Sequence, residues 1–456
     1  MTSERDEVNQ ELARRKELRR KKDEERRRAE RERKLLLAKL GGVAVIIVLV
    51  AVLILKFVAG AGEPGKTPSQ TEPADPIPVQ TTQPAGPEPT GESDPETTAQ
   101  KETVPDTTVI HIAAAGDLNV TDQMIASALT LYGYDFTNAF LDVAPVLSQA
   151  DLTILNYEGT FGGNSYGSET GSAPLQLAQA LKALGVDAVQ TANSASIRAG
   201  VLGLQSTIQT LKSFGIEPVG TFADSASFRS SGGYTVMEVQ GLRIALVAFT
   251  KGMDNLGLPE GSTDCVNLLY TDYTTTYSKV DTSGIKKVLR NVAEEQPDLT
   301  IALLHWGSEY NEGISSSQKQ IRNLMLENGV DVILGSHSHL LKGIEHDTAN
   351  NTLVAWSLGD FYGDAVQPGS NYSIVLNIEV TRDNVTGITT VTGYEYTPIY
   401  TVQPDESQAG GQRVVRIEAA LERYRGNYLG KVNSGVASSM EYALKRIDQR
   451  IAETVK

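Results

Sequence analysis

Leu299-Thr300-Ile301-Ala302-Leu303-Leu304-His305-Trp306-Gly307-Ser308-Glu309-Tyr310 is an apolar run that ends on a histidine and opens into a polar loop. A second stretch has the same form: Val330-Asp331-Val332-Ile333-Leu334 feeds Gly335-Ser336-His337-Ser338-His339. Short apolar runs of this length read as strands covered on both faces, which is the habit of parallel sheets in α/β proteins. Three of the five histidines in the chain fall directly after these two strands. Ligand sites in open α/β sheets gather at the carboxyl ends of strands, and neutral imidazole suits Zn, Mn or Fe. The two stretches therefore predict a layered α/β fold with a metal site at a sheet edge. The His-x-His spacing predicts that both rings point the same way from an extended segment.

Working outward, further strands are predicted at 109–115, 152–156, 187–191, 235–239, 244–249, 353–357 and 373–380. Helical patterns over 174–184, 202–214, 285–295 and 316–328 alternate with them, as in βαβ units. Gln240-Gly241 between two strands reads as a hairpin turn, so the sheets are expected to be mixed. Beyond about Tyr400 the pattern changes. There 413–428 and 436–454 read as amphipathic helices, packed on the body or reserved for a partner.

The net charge is −15, unevenly distributed. Residues 1–34 hold 14 Lys and Arg against 10 Asp and Glu, whereas 57–456 carry −21. An acidic body lacks the clustered cations that phosphate backbones require, so no nucleic-acid partner is expected. Leu40 to Leu55 is uncharged, and with its flanks (35–59) it is long enough to cross roughly 30 Å of hydrocarbon. The basic arm before it places the amino terminus in the cytoplasm and the bulk of the chain outside the cell membrane. A cleaved signal peptide, ending at Ala59-Gly60-Ala61, is the rival reading. Residues 60–107, rich in Pro, Thr and Glu, read as an extended linker, 108–402 as the folded domain, and 403–456 as a C-terminal helical segment. The single cysteine, Cys265, leaves the exported domain to hold together by packing alone.

Four more polar groups close predicted strands: Gly116-Asp117, Asn156-Tyr157-Glu158, Ala192-Asn193 and Gly359-Asp360. Carboxylates and an asparagine carbonyl are hard oxygen ligands, and with histidine nitrogen they make the mixture that two-metal hydrolytic centres use. Each pair alone is more often a turn or cap. The order Asp, Glu, Asn, His, His-x-His along successive strands is far more specific.

These motifs, with HWGSEY and SLGDF (Ser357 to Phe361), resemble the CapA or PgsA-like proteins of poly-γ-glutamate capsule synthesis over roughly 109–362. The resemblance implies a calcineurin-like metallophosphoesterase-type β-sandwich flanked by helices. It implies metal ligands at Asp117, Glu158, Asn193, His305, His337 and His339, holding one or two divalent ions (Mn, Zn or Fe). It also implies capsule-synthesis membrane proteins and poly-γ-glutamate or a wall polymer as partners. The chain departs from the family pattern at several places: Ala195 replaces a histidine and Arg198 an acidic residue. Ser336 stands for His, Ser338 for Pro, and Asp360 for Asn. The lost histidine resembles the general acid or transition-state stabiliser of metallophosphoesterases; loss of a positioned acid costs roughly 10²–10⁴-fold in rate. Two residues remain as catalytic candidates. Glu309 either orients an imidazole or caps the helix near Ser315; Arg198 either supplies the missing positive charge or is a surface arginine. Three functions are compatible with this: a metal-binding capsule component with weakened catalysis, an active metal-dependent phosphoesterase or amide hydrolase, and a wall-associated scaffold working through its C-terminal helices.

Overall fold

In the computed structural model residues 106–453 are described. The basic arm, the expected span at 35–59 and nearly all of the linker lie outside them. Among the described residues no helix is long and apolar enough to cross a membrane.

Two mixed sheets stack face to face. The first is built on β1 (Thr107–Asn119), β2 (Leu152–Glu158), β3 (Ala188–Gln190) and β4 (Glu217–Val219), all parallel. The second is built on β5 (Thr235–Val239), β6 (Leu242–Thr250), β7 (Leu299–His305), β8 (Val332–Ser336), β9 (Ile344–Asp347) and β10 (Thr352–Ala355). Within it β6, β7, β8 and β10 run parallel, and β5 and β9 add antiparallel edges. Beside β1 lie β11 (Asp360–Tyr362), parallel, and β12 (Tyr372–Asp383), antiparallel. Then β13 (Thr389–Val402) and β14 (Arg413–Arg416) complete the first sheet.

Strand period decides which core each residue joins. Ile110, Ile112 and Ala114 of β1 meet Ile244, Leu246, Ile301, Leu303 and Val332 between the sheets. Ala113 and Ala115 face the other way, against Leu177 and Leu181 of helix α1 (Gln176–Ala183). Ala302, Leu304 and Ile333 face Ile285 and Leu289 of α2 (Thr282–Glu294) and Ile321 and Met325 of α3 (Ser316–Leu326). Helices thus cover both outer faces, which is why the central strands are apolar on both sides. The Gln240-Gly241 turn, with φ of 49° and 82°, joins β5 to β6 as the expected hairpin.

Two expectations are corrected at the C-terminal end. Residues 413–416 form β14 instead of starting a helix, and the helix there is α4 (Ile417–Arg425). Nor does the fold divide at 402/403, because β14 pairs with β13. The last helix, α5 (Ser434–Ala452), buries Val436, Met440, Ala443 and Ile447 in the central core and is packed on the body.

Candidate metal centre

The parallel strands of both sheets end on one edge, and the polar residues gather there. Asp117 and Asn119 are two apart on β1, and Asn156 and Glu158 two apart on β2, so each pair faces the same side. The register between β1 and β2 shifts between Ala114 and Asp117, a bulge that turns the strand end. Gly116 lets β1 come close to the Gly359 backbone. The Asp117 N–H donates to the Gly359 carbonyl at 2.9 Å, and Asp117 and Asp360 are register partners.

Two triads result. Glu158, His305 and His337 bring donor atoms within 4.8 Å of one another, and so do Asp117, His339 and Asp360. The triads adjoin: the His305 and His337 rings lie 4.4 Å apart, and the His337 N–H donates to Asp117 Oδ2 at 3.0 Å. Five of the six expected ligands therefore converge in the two triads. Asn193 joins them differently. Its amide donates to Asn156 Oδ1 at 2.9 Å and to the Tyr157 carbonyl at 2.7 Å, while its oxygen accepts the Ala195 N–H. Asn156 in turn donates to Asp117 Oδ1 at 2.7 Å. In this arrangement Asn193 ties the strand end that carries Glu158.

His-x-His is not extended. His337 and His339 have φ of 84° and 58°, a left-handed conformation that costs of order 1–3 kcal/mol at each non-glycine residue. The turn sends the two rings into different triads, their centroids 6.4 Å apart, which corrects the expectation that they point together.

Neither catalytic candidate touches the triads. The Arg198 guanidinium pairs with Asp254 at 3.0 Å on the surface. Glu309 is exposed, and His305 Nδ1 instead meets Ser336 Oγ at 3.2 Å and Asn156 Nδ2 at 3.5 Å. The helix near Ser315 is capped by Ser315 and Gln318 together, without Glu309. Ala195, where the resemblance implies a histidine, is buried.

Several neighbours stand outside the expected ligand set, Asp360 among them although Gly359-Asp360 closes a predicted strand. Asp360 accepts from His339 Nδ1 at 2.7 Å and from Asn119 at 2.9 Å. Ser194 Oγ donates to Glu158, and Tyr310 stacks on His339 with centroids 5.1 Å apart. Lys251, held by the Gly307 carbonyl at 2.8 Å, is near enough to disfavour protonation of His305 and His337. A signal for Asp360 existed: Gly359-Asp360 repeats the Gly116-Asp117 pair on a neighbouring strand.

Burial dominates the electrostatics. It raises Asp117 to about 6 and, with help from the Asp117 charge, Glu158 to about 7. It pushes His305 and His337 well below the usual imidazole range. For His339 burial is outweighed by Asp360, Glu158 and Asp117, which lift it to about 10. A dication would favour the ionised form of these packed carboxylates, and imidazoles already held neutral are in the form that ligates it.

The donor set fits such an ion. Glu158 Oε2, His305 Nε2 and His337 Nδ1 are buried with no hydrogen-bond partner. One carboxylate oxygen and two imidazole nitrogens match Zn, Mn or Fe in ligand type. Fold and centre together define a mixed α/β protein with a carboxylate and histidine pocket suited to divalent metal.

Residues 111–365 match the family described as "Bacterial capsule synthesis protein PGA_cap", and the chain belongs to that family. It is 24% identical over 283 residues to the capsule biosynthesis protein CapA of Bacillus anthracis, covering 60% of this chain and 64% of that protein. It is 24% identical to the PGA biosynthesis protein CapA of Bacillus subtilis over 61% of this chain and 67% of the relative. Among solved structures, a phosphatase of Mycoplasma pneumoniae aligns at 16% identity with a TM-score of 0.41, over 65% of this chain and 96% of its own. The calcineurin-like phosphoesterase YfkN of Bacillus subtilis aligns at 15% identity with a TM-score of 0.39, over 75% and 98%.

Proposed function

We propose that this chain is a membrane-anchored, metal-binding component of capsule polymer assembly that works outside the cell with little hydrolytic turnover of its own. Family membership supports the capsule role. The basic arm and apolar stretch at 35–59 support the anchor, and the acidic body suits an exterior domain more than a nucleic-acid binder. The observation that carries the metal role is the trio of buried donor atoms without hydrogen-bond partners, His305 Nε2 lying 3.7 Å from Glu158 Oε1.

A divalent ion bound there would supply positive charge to an anionic oxygen of a bound chain or ester. The protein's own residues do the positioning. Ser336 and Asn156 hold His305 from its Nδ1 side, Ser194 holds Glu158, and Asn193 ties Asn156 to the Tyr157 carbonyl. What is missing is a proton donor in the place of Ala195. Poly-γ-glutamate or another wall polymer is the expected partner, approached through bridging cations because polymer and body are both anionic.

Purified full-length chain, supplied with Mn²⁺, is to be assayed against a simple aryl phosphodiester with His337→Ala as control. Turnover is expected to stay below about 1 s⁻¹, the low end for ordinary enzymes. Faster turnover that His337→Ala abolishes would instead establish a working metal-dependent phosphoesterase.

A further inference from the structure

We propose that the centre takes one divalent ion per chain, between Glu158, His305 and His337, and that the Asp117–His339–Asp360 cluster is closed to a second. This rests on the metal reading above and concerns the ion's number and place.

The clusters differ in how their donor atoms are used. In the first, Glu158 Oε2, His305 Nε2 and His337 Nδ1 have no hydrogen-bond partner and almost no contact with solvent. Each such group costs about 1–3 kcal/mol when left unsatisfied. A single cation would satisfy a carboxylate oxygen and two ring nitrogens together.

In the second cluster four donor atoms already have hydrogen-bond partners. His339 Nδ1 meets Asp360 Oδ1 at 2.7 Å, and the same oxygen accepts from Asn119 at 2.9 Å. Asp117 Oδ1 accepts from Asn156 at 2.7 Å, and Oδ2 from the His337 N–H at 3.0 Å. No atom of these three side chains is among the buried unpartnered ones. His339 Nδ1 is also its ring nitrogen nearest Asp117, at 3.9 Å. A second ion bound through His339 Nδ1 and Asp360 Oδ1 would have to break the contact between them, which a carboxylate acceptor strengthens relative to a neutral one.

That closing contact is made by Asp360, whose other partner is Asn119 at 2.9 Å. The conformation agrees: the left-handed turns at His337 and His339 separate the two rings, so one faces the unsatisfied trio and the other is held by Asp360.

Full-length chain is to be stripped with a chelator and reloaded with Mn²⁺ alone or Zn²⁺ alone. After desalting, metal per chain is counted by elemental analysis, and the manganese form is examined by electron paramagnetic resonance. One ion per chain is expected, with the signal of an isolated Mn²⁺. Asp360→Asn keeps that ion, whereas Glu158→Gln and His337→Ala lose it, with thermal unfolding used to confirm that the variants are folded. Two ions per wild-type chain, or a spin-coupled manganese pair, would overturn the proposal and leave the metal reading standing. So would one ion that survives His337→Ala but is lost in Asp360→Asn. No ion in the wild-type chain would reject the metal reading itself, and this inference with it.

Discussion

Gly116 leaves no room for a side chain: a Cβ there would lie 1.8 Å from the Gly359 carbonyl oxygen. The close approach is what lets Asp117 and Asp360 sit side by side. Gly116→Ala should therefore lower stability by about 1–3 kcal/mol or more, as overpacking does. Gly393→Ala, where a Cβ meets nothing within 4 Å, should cost nothing comparable. Denaturant unfolding of the two variants checks this, and equal losses would contradict it. Asp331 offers a second test at this scale. Burial raises its carboxyl to about 6, although it accepts the Thr300 N–H at 2.8 Å. The folded state then holds the proton more tightly than the unfolded chain, whose value is near 3.8. The penalty for ionising it is absent below about pH 4 and grows as pH rises through 6. Asp331→Asn, which keeps an acceptor for Thr300, should melt higher than the parent at pH 8 and equally at pH 4. A variant that is less stable at pH 8 would refute the assignment.

At the scale of elements, α5 is an apolar face spent on the body. Val436, Ala437, Met440, Ala443, Ile447 and Ile451 are buried, Asn433 caps its start by accepting the Val436 N–H, and Arg450 near its end pairs with Glu312. Removing 434–456 uncovers an apolar stripe of the central core, a loss of several kcal/mol at about 1.5–3 kcal/mol per large side chain. The truncated chain should aggregate or lose its cooperative melting transition. Unchanged melting would mean the helix is held for a partner instead. Elements were legible where periodicity and burial agree. The hairpin at Gln240-Gly241 and the apolar strands before His305 and His337 lie where expected, because covered parallel strands leave an unmistakable apolar run. The missed strands lack that mark, among them β4, which is Glu-Pro-Val at a sheet edge, β9, which is charged, β13, which mixes polar and aromatic residues with a proline, and β14, which carries arginine at both ends. Asp360 is legible as a strand-closing polar residue but not as a member of the ligand set, for a related reason. Gly-Asp reads as a turn, and only the pairing of β11 with β1 brings it beside Asp117.

For the whole molecule, residues from both sheets meet because every central strand ends on the same edge of the sandwich. Six residues spread from Asp117 to Asp360, with 242 positions between the outermost, form two adjoining triads only if that topology is right. Topology in the cell is a separate matter. A tag fused after Lys456 should be labelled on intact cells by a reagent that does not cross membranes; labelling only after lysis would contradict the outward orientation. The most direct measurement on the central claim is anomalous diffraction from crystals of Zn²⁺-loaded full-length chain. The expected result is one strong peak within bonding distance, about 2.0–2.2 Å, of Glu158, His305 and His337. No peak between those three side chains, or a peak only elsewhere on the surface, would contradict it.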